Sequence, residues 1–107
     1  MSGFSGASGV PKSYVDDLVA QSTAMLTWLD AANISNKDFN ALKTAARYRL
    51  GNMTQFSNGP SSIGTTGTIE VDVMFEYIRQ IVYCNGGAAY RFSYDSGSTW
   101  TSWINLT

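Results

Sequence analysis

The side chains that most often carry out catalysis are scarce in this sequence. It contains no histidine, so a catalytic triad or an imidazole base is excluded. Its single cysteine, Cys84, lies in an apolar run with no histidine to activate it, which predicts a buried and inert thiol. Glu70 and Asp72 fall on one face of a predicted strand, but nothing beside them indicates a substrate cleft. We therefore predict no enzymatic activity, no metal site and no cofactor.

Aromatic residues near the C-terminus form the most informative group. Trp100 and Trp103 lie three positions apart, and Tyr90, Arg91 and Asp95 precede them closely. Side chains at an odd separation on a strand point to opposite faces, which predicts that one tryptophan is buried and the other is exposed or lies in an interface. The group is open to two interpretations. It can be core and subunit packing, or it can be a glycan platform on which the rings stack against a sugar while Arg91 and Asp95 supply hydrogen bonds.

The charge content of the chain excludes some partners and favours others. Only 14% of the 107 residues are charged and the net charge is −1, whereas an average soluble domain has about 25% charged residues. Without a basic stripe we predict no nucleic-acid binding. No apolar run is long enough to span a membrane, and the N-terminus lacks the features of a signal peptide. The charge-poor composition favours contact with further copies or other protein partners.

The N-terminal segment carries two predicted assembly features. Residues 1–13 read as an extended Gly/Ser arm in which Phe4 anchors onto a neighbouring subunit or onto its own domain. Residues 14–32 read as a helix that begins after an N-cap at Ser13. Its apolar seam packs either on the rest of the chain or in a three-helix contact between subunits. The members of that seam are Val15, Leu18, Ser22, Met25 and Leu29.

A second helix is predicted over residues 36–50. Ser35 and Asp38 form a capping-box pattern, and Gly51 follows as a stop residue. The short connection around Asn33 predicts that the two helices form a helical hairpin. The apolar face predicted for this helix consists of Phe39, Leu42, Ala46 and either Leu50 or Arg49.

The pattern changes from helical to alternating in the second half of the chain. Four strands are predicted, at 68–75, 77–84, 89–94 and 100–106. The expected fold class is therefore α+β, an N-terminal helical hairpin followed by a small antiparallel β-rich knob. The expected organisation is an arm at 1–13, a helical hairpin at 14–51, a linker loop at 52–67 and the β-rich knob at 68–107.

The last 45 or so residues resemble the knob domains at the tips of phage tail fibres and R-type pyocin fibres. The resemblance rests on a Gly-x-x-x-Val strand, an Ile-x-Gln-x-x-Tyr strand, an aromatic-Arg strand and a closing Trp-x-x-Trp. It covers under half of the chain, and the predicted helices have no counterpart in it. The matching positions are Gly67, Val71, Ile78, Gln80, Tyr83, Tyr90, Arg91, Trp100 and Trp103.

This resemblance implies a non-enzymatic virion protein that is made in the host cytoplasm. Such knobs are usually trimeric and serve assembly or host attachment, so the expected partners are further copies of the chain and other virion proteins. A tail-fibre, head-fibre or decoration role fits this description. The alternative is a module that binds host-surface glycans through Trp100, Trp103 and Tyr90.

Overall fold

A computed structural model describes residues 12–106, with the side chains of residues 21–26 left outside the description. The described chain contains one α-helix, six β-strands and three short 3₁₀ helices. Their bounds are α1 Lys12–Leu26, β1 Trp28–Asp30, β2 Ala46–Leu50, β3 Gly67–Met74, β4 Tyr77–Cys84, β5 Gly87–Ser93 and β6 Ile104–Asn105, with 3₁₀ turns at Ala31–Asn33, Phe39–Ala41 and Met53–Gln55.

The six strands form a single sheet in which spatial order follows chain order, β1 to β6. β1 runs parallel to β2, and every other neighbouring pair is antiparallel. The register places Val71 opposite Gln80 and Gln80 opposite Arg91, so these three side chains lie in one row on one face. That row crosses the middle of the sheet.

One face of the sheet carries the hydrophobic core. Alternate positions of the strands point into it, and the loops between β1 and β3 cover it. Phe39 in the second 3₁₀ turn is fully buried and contacts Phe56 and Trp103 edge-on. The fully buried apolar residues of the sheet are Leu50, Ile69, Val71, Val82 and Ala89.

The predicted helical hairpin is wrong, and with it the predicted fold class. The described chain is mostly β, with one helix before a six-stranded sheet. Residues 36–50 instead form a 3₁₀ turn and strand β2. The Asp38 carboxylate does act as a cap, but the turn it caps stops after Ala41. The backbone N–H of Phe39 donates to Ser57 O, and its carbonyl accepts from Leu42 N and from the Gln80 side chain.

The apolar spacing of that segment nevertheless identified core residues. Phe39, Leu42, Ala46 and Leu50 are all buried. In the Ala46–Leu50 stretch, arginines alternate with buried or half-buried residues, which is the period of a strand. The apolar residues of this segment thus fit both the two-residue period of a strand and the roughly four-residue period of a helix. Tertiary contacts decide in favour of the strand.

The other predicted elements differ mainly in their bounds. The first helix is present but ends at Leu26 rather than at residue 32, so Leu29 lies on β1. The strands predicted at 68–75, 77–84 and 89–94 correspond to β3, β4 and β5, whereas β6 spans only Ile104–Asn105. β2 pairs directly with β3, so the sheet continues across the loop at 52–67. The predicted arm lies almost wholly outside the described residues.

Candidate functional site

Arg91 is the centre of the most elaborate polar arrangement in the described chain. It lies on the core face of β5 and is only 5% exposed. Its Nε donates to Gln80 Oε1 at 2.8 Å, across the strand pair. Its Nη2 donates to Asn40 Oδ1 at 2.8 Å, in the second 3₁₀ turn. The guanidinium therefore links the middle of the sheet to the loop that covers it.

Both tryptophans lie against the same guanidinium. The Arg91 Cζ atom is 4.2 Å from the ring centroid of Trp100 and 4.8 Å from that of Trp103, both within cation–π range. The prediction that one tryptophan is buried and the other exposed is wrong, because both are half-buried. Residues 100–103 are irregular, so strand alternation does not apply to them. Thr101 fastens this segment to β5, where Phe92 N donates to its Oγ1 and Thr101 N donates to Phe92 O.

Gln80 extends the arrangement into the covering loop. Its Nε2 donates to Phe39 O at 2.6 Å and to Leu42 O at 3.0 Å, while its Oε1 accepts from Arg91. Gln80 is fully buried, so these three hydrogen bonds replace the ones that its amide group would otherwise make to water. We call Gln80, Arg91, Trp100, Trp103 and Asn40 the arginine cluster.

Burial and a nearby carboxylate oppose each other at Arg91. Desolvation lowers the pKa of Arg91 to about 10, and the charge of Asp38 partly offsets this. Arg91 therefore keeps its charge at neutral pH. Hydrogen bonds from Asn58 and from the backbone of Asn40 lower the pKa of Asp38, with a smaller contribution from Arg91. The cluster is thus a buried cation satisfied mainly by amide oxygens and aromatic faces.

The two indole N–H groups of the cluster have different partners. Trp103 Nε1 donates to Asn58 O at 2.9 Å, which attaches the C-terminal segment to the loop before Gly59. Trp100 Nε1 is buried and has no hydrogen-bond partner among residues 12–106. Trp103 therefore has a second structural contact that Trp100 lacks.

The remaining two residues of the predicted glycan platform lie elsewhere. Tyr90 is on the opposite face of β5, where its ring contacts Phe92 edge-on at 5.6 Å. Asp95 organises the turn after β5 by accepting from Thr99 N, Thr99 Oγ1 and Ser93 Oγ. The structure therefore brings together Arg91, Trp100 and Trp103 but not the whole predicted set.

The predicted assembly residues are partly described. Val15 is half-buried and Leu18 is 38% exposed on α1, and Leu29 is exposed on β1. The predicted seam is therefore interrupted, because its last member is not on the helix. Phe4 and the side chain of Met25 lie outside the described residues.

The candidate acidic pair is engaged in ion pairs. The Asp72 carboxylate accepts from Arg79 Nε at 2.9 Å, and Glu70 lies 3.4 Å from Arg47 Nε. Within residues 12–106, no group of three or more acidic, cysteine or histidine side chains is placed to hold a metal ion. No helix in the same stretch is long and apolar enough to cross a membrane. Cys84 is half-buried, and burial raises the pKa of its thiol.

Reasoning from the sequence missed the part played by Asn40 and identified Gln80 only through the resemblance. A signal for Gln80 was available, since it occupies an inward position of β4 between Ile78 and Val82. A polar residue at such a position requires buried partners. Asn40 gave no such signal, because its contact depends on the path of the covering loop.

No protein-family model, curated protein or solved structure matches the chain.

Proposed function

We propose that this protein is a structural component of a phage particle, which self-assembles and presents its β-sheet as a knob. The observation that carries this proposal is the arginine cluster. Four positions of the fibre-knob resemblance, Gln80, Arg91, Trp100 and Trp103, are joined in one network of hydrogen bonds and cation–π contacts. These residues are far apart in the sequence but are joined in space. The pattern that they form is therefore one that the fold itself requires.

Two further positions of the resemblance have a clear packing role. A Cβ atom on Gly67 would lie 1.7 Å from Tyr83 O, so β3 and β4 can approach closely only with glycine there. Val71 is fully buried beneath the covering loop. The shared pattern is therefore interpreted as a signature of the knob's interior, which supports a scaffold role for the described chain.

Self-assembly is supported by the exposure of α1. Among its residues with described side chains, 12–20, none is buried, and Leu18 and Val19 are exposed. A helix of 15 residues is marginal in water when its apolar side is uncovered. Contact between copies through this helix supplies the missing cover, as the trimeric arrangement of fibre knobs implies.

A carbohydrate-binding role has less support. The faces of Trp100 and Trp103 nearest Arg91 are occupied by its guanidinium, so those faces are not free to stack on a sugar. Tyr90 and Asp95 do not adjoin them.

The experiment that tests the proposal is localisation on particles. An antibody raised against the purified chain is applied to virions from cultures that carry its gene, and immunogold labelling is viewed by electron microscopy. Labelling at a fixed position on the particle supports the proposal, and pre-immune serum is the control. Absence of the chain from purified particles by mass spectrometry contradicts it.

A further inference from the structure

The face of the sheet opposite the core is unusually aromatic. In an antiparallel sheet with one face in water, outward positions are normally polar. Here the outward positions of β4 and β5 carry four large rings, a fifth ring follows β5 directly, and Ile104 of β6 lies opposite Tyr90. Arg79 and the buried Ile81 are the other large outward side chains of β4. We call this surface the open face, and its members are Tyr77, Tyr83, Tyr90, Phe92, Tyr94 and Ile104.

These side chains keep much of their surface exposed in the single chain. Tyr77, Tyr83, Tyr94 and Ile104 are 46% to 59% exposed. Tyr94 stacks on Phe92 with ring centroids 5.9 Å apart and contacts Tyr77 edge-on at 6.0 Å. The rings of Tyr77, Tyr94, Phe92 and Tyr90 therefore contact one another in a continuous row. These contacts between neighbouring rings on the same side of the sheet bury part of their surface.

The charges beside the aromatic row are already paired within the chain. Asp72 is bonded to Arg79 across β3 and β4, and Glu70 is paired with Arg47 across β2 and β3. Arg49, the other outward charge of β2, lies opposite Asp30 of β1. Three anions and three cations therefore leave this side of the sheet without a net charge. A surface without net charge does not favour a partner of either charge, and two copies of it do not repel each other.

The dimensions of the open face suit a stable protein contact. The outward side of the sheet from β2 to β6 has five, eight, eight, seven and two residues in its successive strands. At about 4.8 Å between strands and about 3.4 Å per residue, this side has a footprint on the order of 500 Å². Accessible area exceeds a flat footprint because side chains are corrugated. The open face and the paired charges of β2 and β3 together therefore approach the roughly 800 Å² per partner of a standard interface. Tyrosines suit such a contact, since they bury a large area for little loss of conformational freedom.

We infer that the open face is a contact between copies of this chain, packed sheet against sheet. This inference rests on the proposed self-assembly and names a surface for it other than α1. Sheets stacked face to face lie about 10 Å apart, which allows rows of tyrosines from two copies to interdigitate. The same packing is available in a dimer and around a three-fold axis.

The test compares two glutamate substitutions in the full chain. Tyr83→Glu places a charge at the end of the open face nearest the β4–β5 turn, at a half-exposed ring with no stacking partner among residues 12–106. Gln55→Glu adds the same charge at an exposed residue of the third 3₁₀ turn, on the covered side of the sheet. Sedimentation equilibrium gives the dissociation constant, and near-ultraviolet circular dichroism of the half-buried Trp100 and Trp103 checks that each variant is folded.

We expect Tyr83→Glu to weaken self-association by about 30-fold or more, the size of a hot-spot substitution. Gln55→Glu should leave the dissociation constant unchanged. Tyr94→Glu, at the opposite end of the open face, provides a second variant if Tyr83→Glu does not fold. A wild-type chain that remains monomeric at tens of micromolar overturns both self-assembly and the open-face contact. A wild-type oligomer that both tyrosine variants leave intact overturns only the open-face contact.

Discussion

At the scale of single residues, the protein stabilises a buried cation with uncharged partners. The hydrogen bonds of Arg91 reach the amide oxygens of Gln80 and Asn40, and two indole rings lie over its guanidinium. Arginine suits this position because its planar head can donate in its plane and stack at its faces at the same time. A lysine has no planar head and cannot do both.

Replacement of Arg91 by methionine should be strongly destabilising. It removes both cation–π contacts and leaves the buried Gln80 Oε1 and the half-buried Asn40 Oδ1 without their donor. We expect the free energy of unfolding to fall by about 2–4 kcal/mol, the cost of amide oxygens left without a donor together with the lost cation–π contacts. Urea denaturation followed by tryptophan fluorescence measures it. Arg49→Met, at an exposed position of β2, is the control, and an equal effect there contradicts the prediction.

The turn after β5 should make stability depend on acidity. Hydrogen bonds from the Thr99 hydroxyl, the Thr99 backbone and the Ser93 hydroxyl lower the pKa of Asp95 to about 2. A depressed pKa in the folded state stabilises the fold above the unfolded value of about 3.9, and this contribution is lost as the pH falls towards 2.

Asp95→Asn should therefore flatten the decline in the urea midpoint between about pH 5 and about pH 2.5. Thr99→Val, which removes the largest of the three interactions, should reproduce part of the change. A decline as steep in both variants as in the wild-type chain rules out this role for Asp95.

At the scale of elements, local pattern was sufficient for β3, β4 and β5 but not for β2. Each of the three strands is flanked by turn residues and lies beside its neighbour in sequence, so local signals and final pairing agree. β2 was mistaken for helix because capping residues precede it. The deciding contacts, from Gln80 to Phe39 O and Leu42 O, join residues about 40 positions apart. No local pattern contains that information, and the same holds for the part that Asn40 plays in the arginine cluster.

The close approach of β3 and β4 gives a prediction at this scale. Gly67→Ala would place a Cβ atom on Tyr83 O and force the two strands apart, whereas a Cβ at Gly51 meets nothing within 4 Å. We expect Gly67→Ala to lower the free energy of unfolding by about 1–3 kcal/mol. Each kcal/mol corresponds to a decrease of the melting temperature by roughly 4–8 °C. Gly51→Ala should change it little. Thermal unfolding by circular dichroism compares the two, and similar melting temperatures would show that the strands tolerate the methyl group.

At the scale of the whole molecule, the core and the exposed apolar surface are distributed unevenly. The core and the arginine cluster lie on one side of the sheet, and the open face lies on the other. None of the described side chains of α1, residues 12–20, is buried, and Tyr14 of this helix stacks on Phe75. The sheet is therefore expected to be the stable unit, and the helix to depend on contacts with other copies.

Hydrogen exchange should separate these two parts. At micromolar concentration we expect amides of Lys12–Leu26 to exchange far faster than those of β4, since no described side chain of α1 is buried. Raising the protein concentration should protect α1 while leaving β4 unchanged. Exchange as slow in α1 as in β4 at the lowest concentration would mean that the helix is held within one chain. Mass spectrometry of peptide fragments resolves the two segments.

The two outermost strands of the sheet are short, three residues in β1 and two in β6. Each edge therefore has few unpaired backbone N–H and C=O groups with which a strand of another molecule could pair. In the self-assembly proposed above, a surface rich in aromatic side chains would bring copies together, and long edge strands would then allow them to add to one another without limit. Because the edge strands are short, we expect such copies to meet through side-chain contacts of fixed geometry, which are compatible with a closed assembly of a set number of subunits.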